Sequence, residues 1–181
     1  LFQKRNIGLI ATSLIIVIFL SFFALRMKID RGGKDQESSL KFEDSYHRVI
    51  SIDKIPARVV SVAPNITEII FALGKDEVLV GRTEYCDYPI EAGRIESIGS
   101  ITEPNIEKIV ELNPDIVIAS SHFQKETLKK LEKLGLKVVI LKGEESFSGL
   151  YHLISQVGRL LDAEEKASQL VSDLQKRVFD I

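Results

Sequence analysis

The stretch Arg58 to Gly74, RVVSVAPNITEIIFALG, contains one complete strand, turn and helix. Arg58-Val59-Val60-Ser61-Val62 is β-branched and nearly continuous in its apolar character, the pattern of a strand covered on both faces of a parallel sheet. Ala63-Pro64 ends that run. Asn65 followed by Glu68 has the spacing of a helix cap with its carboxylate three positions on, and Ile66, Ile69, Ile70 and Leu73 share one helical face. Gly74 stands where a helix commonly closes in the left-handed conformation.

The same unit recurs toward the carboxyl end. Val78 to Gly81 reads as a strand, followed by a long connection with Tyr85-Cys86-Asp87-Tyr88-Pro89, and Ile98 falls in a short segment beyond it. Asn105 caps a helix running to Leu112, and Asn113-Pro114 breaks it. Asp115 to Ala119 is the next buried strand, with Ser120 and Ser121 at its carboxyl end. Phe123 to Leu134 has the pattern of a charged amphipathic helix closed by Gly135, and Lys137 to Leu141 is another strand. Phe147, Leu150, Tyr151, Ile154, Val157 and Leu161 then recur at helical spacing, and Ala163, Ala167, Leu170, Val171, Leu174, Val178 and Ile181 describe a second helix. On the amino side, Tyr46 to Ile52 alternates in part and is expected to form a short edge strand or hairpin arm stopped by Pro56.

Strands alternating with helices predict an α/β, Rossmann-like lobe: a mostly parallel sheet, right-handed crossovers and helices on both faces. Ligands of such open sheets bind outside the carboxyl ends of the strands. That rule selects Ser61, Pro64, Asn65, Tyr85, Ile101, Thr102, Ser120, Ser121 and His122 as one ligand-binding rim. Tyr85 and Tyr88, in a proline-bounded loop, offer flat apolar rings with a polar tip to a large ligand, or pack the loop around Pro89. His122 either touches ligand or caps the following helix, whereas His47 and His152 are read as solvated or locally hydrogen-bonded.

Composition narrows the classes. A formal net charge of -2 with interspersed signs provides no basic face for nucleic acid. The single Cys86 cannot make an intrachain disulfide and is expected to be packed; three scattered histidines lack metal-ligand spacing, so no metal and no cofactor are expected. G-x-G-x-x-G, G-x-x-x-x-G-K-[ST] and G-x-S-x-G are all missing, which argues against nucleotide binding and against a hydrolase, so no catalytic residue is assigned.

Residues 1–29 contain an uncharged run, Ile7 to Leu25, that is long enough to span the roughly 30 Å hydrocarbon core at about 1.5 Å per residue. It is read as a transmembrane anchor or a cleaved signal peptide. Residues 30–45 are polar and charged and are read as a flexible tether. The lobe then covers 46–162 and a further helix 163–181.

Three linked motifs, RVVSVAPNITEIIFALG, VGRTEYCDYP (Val80 to Pro89) and PNIEKIVELNPDIVIAS (Pro104 to Ser120), together with the arm HRVISIDKIPARVV, resemble the periplasmic binding proteins for cobalamin and iron-siderophores. Members of that family have two α/β lobes joined by one long rigid helix, with the ligand in the cleft between them. The resemblance implies that this chain carries the amino-terminal lobe and that 163–181 begins the connecting helix. It implies an extracytoplasmic component of an ABC importer that delivers a corrinoid, ferric siderophore or haem to the permease subunits. Tyr85 matches the family's aromatic cleft residue, and Glu107 matches the glutamate that pairs with arginines of the permease. Two other classes stay open: a membrane-tethered α/β interaction module, and an enzyme without a recognisable catalytic motif.

Overall fold

The computed structural model describes residues 39–143 and 145–179. The apolar run Ile7 to Leu25 and the amino-terminal part of the expected tether lie outside the described residues; among the described residues no helix is long and apolar enough to cross a membrane.

The chain runs β1 (Leu40–Glu43), β2 (Val49–Ile52), β3 (Val59–Ser61), α1 (Pro64–Ala72), β4 (Leu79–Arg82), α2 (Ile106–Glu111), β5 (Ile116–Ser120), α3 (Lys125–Lys133), β6 (Val138–Leu141), α4 (Phe147–Leu160) and α5 (Glu164–Phe179). Two 3-10 turns, Asp76–Val78 and Ile90–Arg94, flank β4 and its long connection. The main sheet has the order β4-β3-β5-β6, and all three pairings are parallel. The β-branched runs fill its centre because each of these strands is covered on both faces: β3 and β6 are buried at every position. Two apolar clusters result. One places Ile66 and Ile70 of α1 and the capping Leu73 with Leu153, Ile154 and Val157 of α4, and the other places Ile109 of α2 with Leu128 and Leu131 of α3.

One reading requires correction at the amino end. Residues 30–45 do not form a tether throughout, since Leu40–Glu43 is a strand paired antiparallel with β2. Of the two forms expected for Tyr46 to Ile52, the structure has the hairpin arm; it begins at Val49, because Tyr46 and His47 lie in the turn between β1 and β2, where His47 has φ +58. Asp44 fixes this hairpin. Its carboxylate accepts from the backbone N–H of Tyr46 (2.9 Å), Arg48 (3.1 Å) and Ile140 (3.1 Å) and from the guanidinium of Arg48 (Nε, 3.0 Å). Ser45 N–H donates to the Ile140 carbonyl (2.9 Å), so the turn is laced to β6. Burial pushes the Asp44 carboxyl up, but the bonds from Arg48, Ile140 and Tyr46 outweigh it and hold the group below its ordinary value.

The start of α1 also differs from expectation. Ala63, not Asn65, is the N-cap residue, and Pro64 occupies the first turn, where its missing N–H costs nothing. The closures at Gly74 (φ +62) and Gly135 (φ +82) follow the predicted left-handed form. Asn105 caps α2 as read, accepting from Lys108 N–H at 3.0 Å. α5 folds back from α4 through Leu161 to Ala163, and Leu170, Val171 and Leu174 pack against the cluster that holds Leu153 and Ile154.

Candidate functional site

Parallel pairing brings the carboxyl ends of the four strands side by side: Ser61 pairs with Arg82 on one neighbour and Ile118 on the other, and Ser120 pairs with Leu141. The loops leaving them share one edge. Beyond β4, the segment around Ser97 pairs in parallel with Arg82, through Arg82 N–H to the Glu96 carbonyl (2.9 Å) and Ile98 N–H to the Arg82 carbonyl (2.8 Å). Glu84 N–H then donates to the Gly99 carbonyl at 2.9 Å, which seats the Tyr85 loop against the loop carrying Ile101 and Thr102.

Arg82 organises this connection. Its guanidinium donates to the carbonyls of Ala92 (2.9 Å) and Thr83 (2.9 Å), each of which also accepts a backbone N–H, from Ile95 and Cys86, so the side chain ties two turns of the connection together. Below it Cys86 is fully buried, with Thr83 Oγ1 3.1 Å from its sulfur. The thiol is packed, as expected of an unpaired cysteine. With this base fixed, Tyr85 and Tyr88 are left 62% and 68% exposed, and the Tyr88-Pro89 peptide is cis.

On the β5 side, Phe123 is buried and its N–H returns to the Ser120 carbonyl at 3.0 Å, forming a tight turn that displays Ser121 and exposes His122. The hydroxyl of Tyr46 donates to the Ser121 carbonyl at 3.1 Å, tying the amino-terminal hairpin to the rim. Ser120 Oγ is buried with no hydrogen-bond partner among the described residues, a state that costs free energy until a partner is supplied. Asn65 is exposed and Pro64 half-buried at the first turn of α1. Thr102 is exposed, with Oγ1 3.2 Å from Ser100 Oγ, whereas Ile101 is half-buried and packs against both apolar clusters.

Ser61 has to be withdrawn from the candidate ligand residues. It is fully buried, and its hydroxyl donates to the Ala63 carbonyl (3.2 Å) and accepts from Thr67 Oγ1 (2.8 Å). It locks the turn from β3 into α1 and cannot reach a ligand on the rim. Glu107 is exposed in the first turn of α2, whose start is joined to the rim by Asn105 N–H donating to the Ile98 carbonyl at 2.7 Å. Its neighbour Lys108 pairs with Glu96, so the two charges beside Glu107 neutralise each other. His47 pairs with Glu43 (2.9 Å) and His152 is exposed. Among the described residues no cluster of His, Cys, Asp and Glu could hold a metal ion.

This parallel sheet with its open carboxyl edge matches, over residues 59–181, the family model described as periplasmic binding protein. The chain belongs to the periplasmic binding protein family. Its members are solute-binding proteins, not enzymes. Over 151 residues the chain is 33% identical to an uncharacterized ABC transporter substrate-binding lipoprotein of Bacillus subtilis, YvrC, an overlap of 82% of this chain and 48% of that protein. Among solved structures, the periplasmic vitamin B12 binding protein BtuF of Vibrio cholerae superposes with a TM-score of 0.61 at 30% identity, covering 70% of this chain and 49% of BtuF. The periplasmic heme-binding protein RhuT of Roseiflexus sp. gives 0.64 at 30% identity, covering 68% and 48%. The chain spans about half the length of the relatives it matches.

Proposed function

We propose that this chain provides the ligand-capturing amino-terminal lobe of an extracytoplasmic solute-binding protein that serves an ABC importer for a corrinoid, a ferric siderophore or haem. The reading is supported most by the two exposed tyrosines, Tyr85 and Tyr88, standing on a rigid loop at the carboxyl edge of a parallel sheet. Apolar rings that large are left in water where a ligand will cover them. The names of the relatives support the ligand class, since they include vitamin B12-binding and heme-binding proteins.

On this reading Pro64, Asn65, Tyr85, Ile101, Thr102, Ser120, Ser121 and His122 line the wall, with Ser120 Oγ gaining a partner from the ligand. α5 begins the connecting helix, and Glu107 on the edge of the wall pairs with permease arginines. The membrane run at 1–29 holds the lobe at the extracytoplasmic face of the cell membrane. The test is a titration of the protein with cobinamide, hemin and a ferric siderophore, read by the change in the absorbance spectrum of each probe. Micromolar or tighter binding of one probe, lost in Tyr85→Ala, is expected. Failure of all three to bind at millimolar concentration overturns the proposal.

A further inference from the structure

The carboxyl end of β5 is bridged from both sides. In the parallel register Ser61 lies opposite Ile118, and Val62 N–H donates to the Ile118 carbonyl at 2.9 Å, so the pairing continues and Ala63 falls opposite Ser120. On the other side Ser120 pairs with Leu141. Asn65 and Gly143 each stand two residues beyond these partners, and a Cβ on Gly143 would lie 3.7 Å from Asn65 Nδ2. The loops after β3 and β6 therefore meet across the end of the strand that separates them.

Side-chain alternation shows which face they cover. Val59, Ala63, Ile116, Ile118, Val139 and Leu141 all join the apolar cluster of α1 and α4, and Ser120 keeps the phase of Ile116 and Ile118. Its hydroxyl lies on that face under the contact between Asn65 and Gly143, which accounts for its burial, and it finds no partner among the described residues. With no bond to hold it, the hydroxyl turns readily about χ1 toward an incoming group.

α1 starts beside it with open donors. Ala63 offers no capping side chain and Pro64 no N–H, while Ile66 N–H donates to Asn65 Oδ1 (3.0 Å) and Thr67 N–H to the Ala63 carbonyl (3.1 Å). Asn65 Nδ2 and the Asn65 N–H are left at the positive end of the helix. The place is also the switch point of the sheet, since β3 has β4 on one side and β5 on the other, and open α/β sheets hold ligands there.

We infer that Asn65, Ser120 and the open first turn of α1 form a subsite for a carboxylate arm of the solute. This rests on the reading of the rim as a ligand wall and adds to it the charge of the group held at its centre. The Asn65 amide turns off Gly143 to uncover Ser120; the hydroxyl, Asn65 Nδ2 and Asn65 N–H then donate to the carboxylate oxygens, and Gly143 leaves room for them.

The experiment compares probes that share a core and differ in their arms: hemin against hemin dimethyl ester, and cobyrinic acid against cobinamide. A ferric tris-hydroxamate without a carboxylate is included, and affinities are read by absorbance. Wild type is expected to hold the acid about tenfold more tightly than its neutral counterpart, the worth of one hydrogen bond to a charged group. In Ser120→Ala and in Asn65→Asp that ratio falls below about threefold. Neither variant lowers the melting temperature: the Ser120 hydroxyl has no partner to lose, and a carboxylate at position 65 suits the first turn of a helix while repelling one on the solute. A ratio under about threefold in wild type, a ratio above it in either variant, or a wild type that binds only carboxylate-free probes overturns the inference and leaves the ligand wall standing. Binding of none of the five probes overturns the wall itself.

Discussion

Replacing Asp44 by alanine tests how the hairpin is held to the sheet and, through Tyr46, how the rim is shaped. The carboxylate is nearly fully buried and accepts from three backbone N–H groups and from Arg48. Removing one partner of a buried charged pair costs about 3–5 kcal/mol. Arg48 keeps Glu132 at 2.5 Å and the Val138 carbonyl at 3.1 Å, which relieves its charge and places the loss near the low end, about 3 kcal/mol. At about 3 °C per kcal/mol for a domain of this size, the melting temperature at pH 7 should fall by about 9 °C. Asp44→Asn keeps the volume but loses the charge and should cost less, about 2 kcal/mol, the worth of one charge-assisted hydrogen bond.

The pH dependence has a definite sign. The folded Asp44 carboxyl titrates below its ordinary value of 3.8. Its stabilisation is therefore complete above about pH 4 and fades as pH falls through the folded value. The gap between wild type and Asp44→Asn, followed by circular dichroism melts from pH 7 to pH 3, should narrow at the acid end. A loss under about 3 °C for Asp44→Ala at pH 7, or a gap that stays constant over that range, would show that the Asp44 carboxylate does not hold the hairpin to the sheet.

Three further outcomes are expected. A Cβ on Gly81 would lie 2.7 Å from Leu112 Cδ1 and 3.1 Å from Val60 Cγ2, so Gly81→Ala should cost about 1–3 kcal/mol in urea unfolding, whereas Gly93→Ala, with nothing within 4 Å, should fall within about 0.5 kcal/mol of wild type. Arg82→Ala should release the Tyr85 loop, seen as faster hydrogen exchange at Glu84, Cys86 and Ala92, and Arg82→Lys should not restore protection because an ammonium cannot bridge the same carbonyls. Glu107→Arg should lower ligand uptake through the importer while leaving ligand affinity within about twofold, since it reverses a charge beside the wall and not within it; an equal fall in both would contradict the docking role.

The strands of the main sheet were legible from sequence where burial on both faces writes a continuous apolar run, as in Ile116 to Ala119 of the central β5 and Val138 to Leu141 of the edge strand β6. β1 was not legible. Leu-Lys-Phe-Glu is half charged and buries one side chain fully, Phe42, so its pairing depends on β2 rather than on its own composition. Ser61 was misread for a related reason. A serine near the end of a strand looks the same in sequence whether it faces solvent or, as here, a threonine six residues on. The Asn65 cap gave way to Ala63 because the proline at position 64 already suits the first turn. The Arg82 clamp and the bond from Tyr46 to Ser121 join residues 10 and 75 positions apart, and nothing local announces them.

The ligand wall itself is tested most directly by amide chemical-shift mapping of the isotope-labelled protein during a titration with cobinamide. The largest shifts are expected at Asn65, Tyr85, Thr102, Ser121 and His122, along the carboxyl edge of the sheet. Shifts concentrated at Gly74, Lys75 and Gly135, at the opposite ends of α1 and α3, would contradict it.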